Sequence, residues 1–537
     1  MRRTPIFVAI PVLAASVAGL AATVNTASAT AATRHVLLVG SYRGIKGKYQ
    51  TIQAAVDAAK PYDVILVGPG DYHERGDYTT HPPQNGRGSA GVYITTPHLT
   101  IRGMNRSQVV VDGTKRGSAR CSRVASAQDY GPQNAKKQHL GRNGVEIWKA
   151  TDVSVENLTV CNFLDGVGND GNEIWWNGGD DTGKVGGHGA FYGAYLTATS
   201  TYFSKEATAA QYGIFSSNWA GGGARAEWDH TYASNFNDSG YYIGACRQLC
   251  GQIVNHAWAE YNALGYSGSN SGGSLVIENS EFDKNTDGFD TNSQNGDNPP
   301  PQIGSCPTGT SPITKTSSCW VFIHNFVHDN NNPNVPSAGT ASEGPVGTGV
   351  SISGGRYDTV MDNLFVNNGA WGIILVPFPD AGPPCTGGDE ISSQLCLYDD
   401  WGVAINNNTF TNNGSFGNPS NGDIAELQFL PQSVNNCMAG NKDTSGTLTV
   451  SPNGADTLHS TCDGQPNGGT TSNSTFLSEV ACDSGASIGP VNGQQSCTPN
   501  DNYPRRTKIV MHPLPANLTT MPNPCAGIPK NPWCAAA

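Results

Sequence analysis

The chain has few charged residues, and basic ones are the scarcer kind. Of its 537 residues only 14% are charged, and 43 acidic side chains against 31 basic ones give a formal net charge of −12. This acid excess argues against nucleic acid as a partner, and it disfavours a strongly polyanionic substrate unless a local basic groove overrides it. The low charge and the 66 glycines are typical of neither a helical nor a disordered chain. They favour a turn-rich β architecture.

Beyond the N-terminus the sequence has no stop-transfer segment. Arg2 and Arg3 precede an apolar run from Ile6 to Ala22, and Ala27-Ser28-Ala29 forms a small-x-small cleavage pattern. We therefore predict a signal peptide over residues 1–29, with Sec export favoured over twin-arginine export. The mature protein is expected to be secreted, without membrane insertion.

The 14 cysteines include no Cys-x-x-Cys pair with zinc-ligand spacing downstream, which disfavours a cysteine-based zinc site. In an exported chain they indicate structural disulfides, whose full connectivity stays open. Four pairs bracket short loops that a bridge would close: Cys246 and Cys250, Cys306 and Cys319, Cys385 and Cys396, and Cys482 and Cys497.

The first mature element predicted is a short amphipathic helix within residues 49–59. Ile52, Ala55 and Val56 share one face of it. A strand at Asp63–Val67 follows directly, in a pairing that resembles the entry segment of many β-helix proteins, where the helix caps the open end of the coil stack.

Short apolar strands separated by turn residues come next. They lie at Val92–Ile94, Leu99–Ile101, Val109–Val111, Gly144–Ile147 and Val153–Val160. Strands this short cannot bury their faces alone, so the stacking of successive coils is expected to create the core.

A phrase of Asn, an aromatic residue, Asn and Gly then recurs. It occurs at Tyr232–Gly240, Trp258–Gly265, Phe282–Gly288 and Phe365–Gly372, with partial matches at Phe326 and Phe410. The first steps are roughly 25 residues, the length of one β-helix coil, and the longer steps contain Pro- and Cys-rich segments that we interpret as loops inserted into coils. Adjacent Asn residues at 330–332, 367–368 and 406–408 predict amide ladders at coil corners.

These features predict an all-β chain folded as a right-handed parallel β-helix, a single-stranded solenoid over residues 30–430 with an N-terminal capping helix. The pattern resembles the pectate lyase-like superfamily. Residues 431–537, rich in Cys, Pro and Asn, are predicted to be a disulfide-tied segment that packs on the stack or follows it; a separate small domain or partial disorder is the alternative. A helical repeat or a β-propeller is the alternative fold, disfavoured by the irregular steps.

The motif Asn285-Thr286-Asp287-Gly288-Phe289-Asp290 is similar to a signature of the polygalacturonase family of glycoside hydrolases. In that family the first aspartate is a catalytic carboxylate, so the resemblance implies a catalytic Asp287, with Asp290 beside it. Hydrolysis requires such a pair of carboxyl groups. The family's His-containing strand is matched only by a segment with Thr348 in place of the histidine. The alternative interpretation of the motif is a coil corner.

A second candidate region combines aromatic and acidic residues in a Gly-rich segment. We predict that it binds glycan through Trp175, Trp176, Asp180, Asp181 and His188, because Trp rings stack on sugar faces and carboxylates accept from sugar hydroxyls. The same oxygens suit Ca²⁺, but no full calcium-loop spacing is present. No cofactor is therefore predicted, with calcium as the alternative, and His188 is alternatively a loop histidine satisfied by its neighbours.

A third set comes from consecutive coils. If the coils stack in register, Asp238 and Tyr266 fall near Asp287, which makes Asp238 a third catalytic candidate and Tyr266 a substrate-binding one. Arg225 and Arg247 are further substrate-binding candidates, and they would also suit a lyase, which needs a base and a cation at a uronate. The alternative is that Tyr266 fills the coil interior.

The sequence thus predicts a secreted, monomeric protein that cleaves an extracellular polysaccharide by glycoside hydrolysis in a groove on the β-helix. A polysaccharide lyase or epimerase is one alternative. A non-catalytic glycan-binding surface protein is the other.

Overall fold

Short strands dominate the computed structural model, in which 42% of the described residues are in strands and 6% in helices. It describes residues 34–76, 89–167, 171–179, 189–204, 210–217, 226–244, 250–269, 271, 275–292, 320–337, 344–381, 384–385, 388–429, 436–462, 471–483 and 501–534. The strands form three long parallel sheets, and each coil of the chain contributes one strand to each sheet in turn. The predicted right-handed parallel β-helix is confirmed.

The sheets are numbered in the order in which each coil enters them. Sheet 1 contains Val36–Val39, Val64–Val67, Thr100–Gly103, Val153–Glu156, Phe191–Ala194, Ala226–Asp229, Ile253–Asn255, Leu275–Glu278, Trp320–Ile323, Thr359–Met361, Ala404–Asn406 and Cys437–Ala439. Sheet 2 contains Gly70–Tyr72, Val109–Asp112, Thr159–Cys161, Thr197–Thr199, Tyr232–Ser234, Trp258–Glu260, Glu281–Asp283, Phe326–His328, Leu364–Val366, Thr409–Thr411 and Lys442–Asp443. Sheet 3 contains Ser89–Ile94, Arg142–Trp148, Asn172–Asn177, Tyr212–Ser217, Ser239–Gly244, Leu264–Ser269, Asp287–Asn292, Thr348–Ser353, Trp371–Val376, Gly422–Glu426 and Val450–Ser451.

The core is a set of ladders inside the stack. In sheet 3, Tyr266, Phe289, Val350 and Ile373 are successive register partners, and all are buried. The rings of Tyr266 and Phe289 stack with centroids 4.3 Å apart. Parallel pairing in register therefore places each inward side chain directly over its counterpart in the previous coil.

Two asparagine ladders hold the tight corners between sheets. At the corner between sheets 2 and 3, Asn330 Nδ2 donates to Asn368 Oδ1 (3.1 Å) and to the Phe282 carbonyl (3.0 Å), while Asn285 Nδ2 donates to Asn330 Oδ1 (3.0 Å). Asn408 lies in the corresponding ladder between sheets 1 and 2. The predicted amide ladders are confirmed.

The predicted N-terminal helix is also confirmed. Helix α1 spans Ile52–Ala58, with Ile52, Ala55 and Val56 buried against the first coils, and Thr51 caps it by accepting from the Ala54 amide (3.3 Å). A strand that the sequence analysis did not identify, Val36–Val39, precedes the helix and pairs with Val64–Val67.

The C-terminal segment first continues the stack and then returns along it. Sheet strands extend to Ser451, past the predicted boundary at residue 430. Helices α2 (Ala455–Leu458) and α3 (Ser474–Asp483) follow. Residues 501–534 then run back to the first coils, where Arg102 donates to the Ala526 carbonyl (2.8 Å) and Trp533 Nε1 donates to the Ile45 carbonyl (3.0 Å). In the part of the chain that the structure describes, no helix has the length and apolar character to cross a bilayer.

Two small antiparallel sheets complete the fold. Ser41–Tyr42 pairs with Ile45–Lys46, and a three-stranded sheet lies within one of the predicted inserted loops. Its strands are Phe378–Ala381, Asp389–Ser392 and Leu395–Tyr398.

The described residues contain four disulfides. The predicted Cys385–Cys396 bridge is confirmed, with an S–S distance of 2.02 Å. The other bridges are Cys121–Cys161, Cys437–Cys462 and Cys525–Cys534. Each of the other predicted pairs includes a cysteine outside the described residues.

Candidate active site on sheet 3

One row of side chains along the outer face of sheet 3 changes from aromatic to polar as the coils proceed. This row, called the outer row below, consists of successive register partners: Trp175, Phe215, Tyr242, Ser267, Asp290 and Ser351. Because a parallel sheet keeps these positions one above the other, the row forms a continuous strip across six coils.

The first half of the outer row is a stack of rings. Trp175 stacks on Phe215 with centroids 4.9 Å apart and planes 9° apart, and Phe215 contacts Tyr242 at 4.8 Å. Tyr212, from the strand of Phe215, stacks on Tyr242 at 4.6 Å. Trp175 and Phe215 are buried, whereas Tyr212 and Tyr242 are partly exposed. The two tyrosines therefore present the accessible aromatic surface.

The second half of the outer row brings two carboxyl groups to one hydroxyl. Ser351 Oγ lies 2.6 Å from Asp287 Oδ2 and 3.1 Å from Asp290 Oδ1. Gly288 lies between the two aspartates, and any Cβ there would lie 2.6 Å from the Gly349 carbonyl oxygen and 2.7 Å from Asn330 Nδ2. Glycine is therefore required between the two acids.

A hydroxyl between two carboxyl groups constrains their protonation. Ser351 carries one hydrogen and can donate it to only one oxygen, so the second contact is a hydrogen bond only if a carboxyl group supplies a proton. Burial, and after it the charge of Asp290, raises the pKa of Asp287 well above its usual range. Burial also raises the pKa of Asp290. The raised pKa values and the shared hydroxyl both favour retention of a proton by this pair.

Asp238 lies close enough to interact with this pair. Burial raises the pKa of Asp238 to about 7, opposed by hydrogen bonds from Tyr212 and Ser239 and reinforced by the charge of Asp290. Asp238 and Asp290 are both partly exposed. Asp238 and Asp290 therefore interact electrostatically at the surface, while Asp287 is joined to Asp290 through Ser351.

Asp287, however, has no exposed surface. This burial does not fit the predicted direct action of Asp287 on a sugar. Its hydrogen bonds with Ser351 and with the Phe289 amide (3.2 Å) make it a positioning residue for Asp290.

Two predicted substrate-binding residues are core residues instead. Trp176 packs inside the stack against Phe191 at 5.0 Å, and Tyr266 stacks on Phe289 in the interior. Successive residues of a strand point to opposite faces, so of the adjacent tryptophans only Trp175 lies on the outer face. Even Trp175 is only 1% exposed, and its Nε1 donates to Ser217 Oγ (3.0 Å). It supports the site rather than lining it.

The other predicted substrate-binding residues, Asp180, Asp181, His188, Arg225 and Arg247, lie outside the described residues.

Sequence reasoning missed Tyr212, Phe215, Tyr242 and Ser351. A signal for two of them was present, because Phe215 and Tyr242 each lie two residues after a glycine, Gly213 and Gly240, at equivalent positions of consecutive coils. Ser351 carried the same signal, because it lies two residues after Gly349 and pairs in register with Asp290.

Groups of side chains that could bind a metal ion lie elsewhere among the described residues. Three clusters place a carboxylate and a histidine with ligand atoms within 4.8 Å of one another: Asp71, His73 and Asp112; Asp229, His230 and His256; and Glu281, Asp283 and His328. These clusters do not include the aspartates of sheet 3.

No family model and no curated protein matches the sequence. Among solved structures, the A-module of mannuronan C-5 epimerase AlgE4 from Azotobacter vinelandii aligns at 12% identity and a TM-score of 0.39, over 76% of this chain and 94% of that one. Pectate lyase Pel9A aligns at 13% and 0.32, over 79% of each chain. The tailspike protein of E. coli bacteriophage HK620, in complex with a pentasaccharide, aligns at 12% and 0.37, over 76% of this chain and 58% of that one. These similarities identify no function for this chain.

Proposed function

We propose that this chain is a glycoside hydrolase that cleaves a polysaccharide lying along the outer face of sheet 3. One observation carries the proposal. Two partly exposed carboxyl groups with raised pKa values lie beside a partly exposed aromatic surface: Asp238, directly before the strand of Tyr242, and Asp290, two coils later in the outer row. Glycoside hydrolysis requires a carboxylic acid that stays protonated and a second carboxylate, with the sugar ring held between them.

The two carboxyl groups have different surroundings, which supports different roles. Asp290 contacts the Ser351 hydroxyl (3.1 Å) and the Asn292 amide (2.9 Å), and the same hydroxyl contacts Asp287. We assign Asp238 as the general acid, because burial and the charge of Asp290 raise its pKa to about 7. Asp290 is the second carboxylate, and the hydrogen bonds from Asn292 and Ser351 favour its ionised form. Tyr212 and Tyr242 supply ring faces for the sugars.

Elimination is less well supported by the described residues. A lyase needs a base strong enough to remove the proton next to a uronate carboxylate. Tyr212 is the phenol next to the acids, but burial and the charge of Asp238 raise its pKa well above the usual range. A phenol in that state is a poor base at neutral pH.

The test is an assay of the mature protein on a panel of neutral and uronic-acid polysaccharides, in which new reducing ends and the ultraviolet absorbance of unsaturated uronates are followed together. We expect reducing ends without unsaturated products. Asp290→Asn and Asp238→Asn should each lower the rate by about 100-fold or more.

Asp362→Asn is the matched control. Asp362 lies at a corner with φ of 53°, a backbone conformation that Asn adopts readily, so this variant should keep full activity. Unsaturated products would identify a lyase, unchanged activity in both sheet 3 variants would contradict the assignment, and binding without products would favour a glycan-binding protein.

We also propose that the protein is exported. The disulfides among the described residues support an oxidising compartment.

A further inference from the structure

A second group of chemically active side chains lies at the corner between sheets 1 and 2, which does not border sheet 3. Asp229 ends the strand Ala226–Asp229, His230 follows it, and His256 occupies the equivalent corner one coil later. This group, called the corner triad below, has no part in the function proposed above.

The three side chains of the corner triad converge on one point. His230 Nδ1 lies 2.8 Å and His256 Nδ1 lies 3.3 Å from the same oxygen, Asp229 Oδ1. The imidazole rings stack with centroids 4.5 Å apart and planes 25° apart. Their two nitrogens and the carboxylate oxygen all lie within 4.8 Å of one another.

The backbone fixes this convergence. Both histidines have left-handed φ values, 54° for His230 and 49° for His256, as two-residue corners require. Their amides donate to the next coil, His230 to the Asn255 carbonyl (3.2 Å) and His256 to the Glu278 carbonyl (3.3 Å). Tyr195, at the preceding corner, stacks on His230 at 4.9 Å. The two imidazoles are therefore held one coil apart by the register of the stack rather than by a flexible loop.

We propose that the corner triad is a Zn²⁺ site formed by His230 Nδ1, His256 Nδ1 and an oxygen of Asp229. Zn²⁺ binds imidazole nitrogen and carboxylate oxygen at about 2.0–2.2 Å, which places neighbouring ligands of a tetrahedral ion roughly 3.3 Å apart. The observed distance of 3.3 Å agrees with that spacing, and the distance of 2.8 Å is shorter by about 0.5 Å. Water completes the coordination, because 34% of the His230 side chain and 47% of the His256 side chain are exposed.

The electrostatic surroundings also favour a cation. Glu278 interacts electrostatically with His324, His256 and Glu227, so two further carboxylates and one further imidazole lie near this part of sheet 1. The cluster of Glu281, Asp283 and His328 differs, because Lys284 forms an ion pair with Asp283. The ammonium group of Lys284 supplies the positive charge that a metal ion would supply. Of the described clusters with a carboxylate and a histidine, only the corner triad offers two imidazoles.

Such an ion would join two successive coils. Binding to the folded chain alone stabilises it, and the binding weakens in acid because both imidazoles must be unprotonated to bind the ion. The site therefore predicts a coil stack whose stability depends on Zn²⁺, independently of any activity on sheet 3.

The experiment uses the full mature protein without a polyhistidine tag, treated with chelator. Zn²⁺ is titrated by calorimetry, Co²⁺ is followed by its visible absorption bands, and thermal unfolding is recorded with and without Zn²⁺. We expect one ion per chain, Co²⁺ bands typical of tetrahedral coordination, and a higher unfolding temperature with Zn²⁺. His256→Asn and His230→Asn should each weaken binding at least 10-fold and remove the thermal shift.

His324→Asn is the matched control. His324 occupies the same kind of corner, with φ of 56°, and is not part of the corner triad, so this variant should bind as the wild type does. Equal affinity in His256→Asn and wild type would overturn the proposal. The absence of stoichiometric Zn²⁺ binding would also overturn it. The same holds if binding is lost in His73→Asn or His328→Asn and kept in the variants of the corner triad. The corner triad would then be a hydrogen-bonded His–Asp–His cluster.

Discussion

Ser351 is the residue on which the sheet 3 site depends most directly. Its hydroxyl is the partner of Asp287 Oδ2, in a carboxyl group without exposed surface. Ser351→Ala leaves that oxygen buried without its partner, so we expect the free energy of unfolding to fall by about 1–3 kcal/mol. Urea unfolding followed by circular dichroism measures this loss.

Ser353→Ala is the control for this prediction. Ser353 Oγ lies 3.5 Å from Asp290 Oδ1, at the limit of a hydrogen bond, and Asp290 keeps its contacts with Ser351 and Asn292. Its effect should stay within about 0.5 kcal/mol. If the two variants lose the same stability, the special role of Ser351 is refuted.

The sequence predicts this site only in part, and the adjacent tryptophans show why. The spacing of the coils was enough to predict that Asp238 lies near Asp287 and Asp290. It was not enough to predict which of Trp175 and Trp176 faces the interior of the stack. Both faces of the strand Asn172–Asn177 are buried, so the apolar character of a side chain does not show which face it occupies.

At the scale of elements, the asparagine ladders link successive coils through buried side-chain hydrogen bonds. Asn330 exchanges side-chain hydrogen bonds with the coils on both sides, through Asn285, Asn368 and the Phe282 carbonyl. Asn330→Ala removes these bonds and leaves buried polar groups unpaired. We expect a loss of about 2–4 kcal/mol in the free energy of unfolding.

Thr411→Ala tests whether the loss of any hydrogen bond between coils lowers the free energy of unfolding as much as Asn330→Ala does. Thr411 and Thr444 share an exposed hydroxyl contact of 3.0 Å between neighbouring coils. Water replaces an exposed partner, so this variant should lose less than about 0.5 kcal/mol. Comparable losses in the two variants would show that burial of the ladder is unimportant.

The repeat phrase predicted the stack but not its register. Tyr232 and Trp258 are register partners on the outer face of sheet 2, whereas Phe282 faces the interior and pairs with Ala259. The predicted strand Val153–Val160 is also two strands, because Asn157 adopts a φ of 57° and turns the chain from sheet 1 into sheet 2. A corner of this kind interrupts the alternation without a glycine or proline to mark it.

At the scale of the whole molecule, the C-terminal residues connect parts of the chain that no periodic pattern relates. Arg106 is 3% exposed and donates to the Thr519 carbonyl (2.8 Å), and Thr520 Oγ1 donates to Asn157 Oδ1 (2.9 Å). These partners lie more than 360 residues apart in sequence. The sequence could therefore predict a segment packed on the stack, but not which coils it covers.

A further property of the whole molecule is its number of buried acids with raised pKa values. Burial raises the pKa of Asp238 and of Glu74 to about 7, and it raises the pKa values of Asp358 and Asp400 well above their usual range. In the unfolded chain such groups titrate near pH 4. Between about pH 4 and about pH 7 the folded protein holds more protons than the unfolded chain does. The free energy of unfolding must therefore fall as the pH rises through this range.

We therefore expect the protein to be most stable in mild acid, with an unfolding temperature that decreases steadily from about pH 5 to about pH 8. Differential scanning calorimetry across this range measures the slope. A double variant, Asp238→Asn with Glu74→Gln, should flatten the slope around neutral pH, because neither amide can ionise there. Asp362→Asn, at an exposed corner, should leave the slope unchanged. A stability that rises towards pH 8 would mean that the buried acids ionise without cost, and it would remove the basis for assigning a protonated acid on sheet 3.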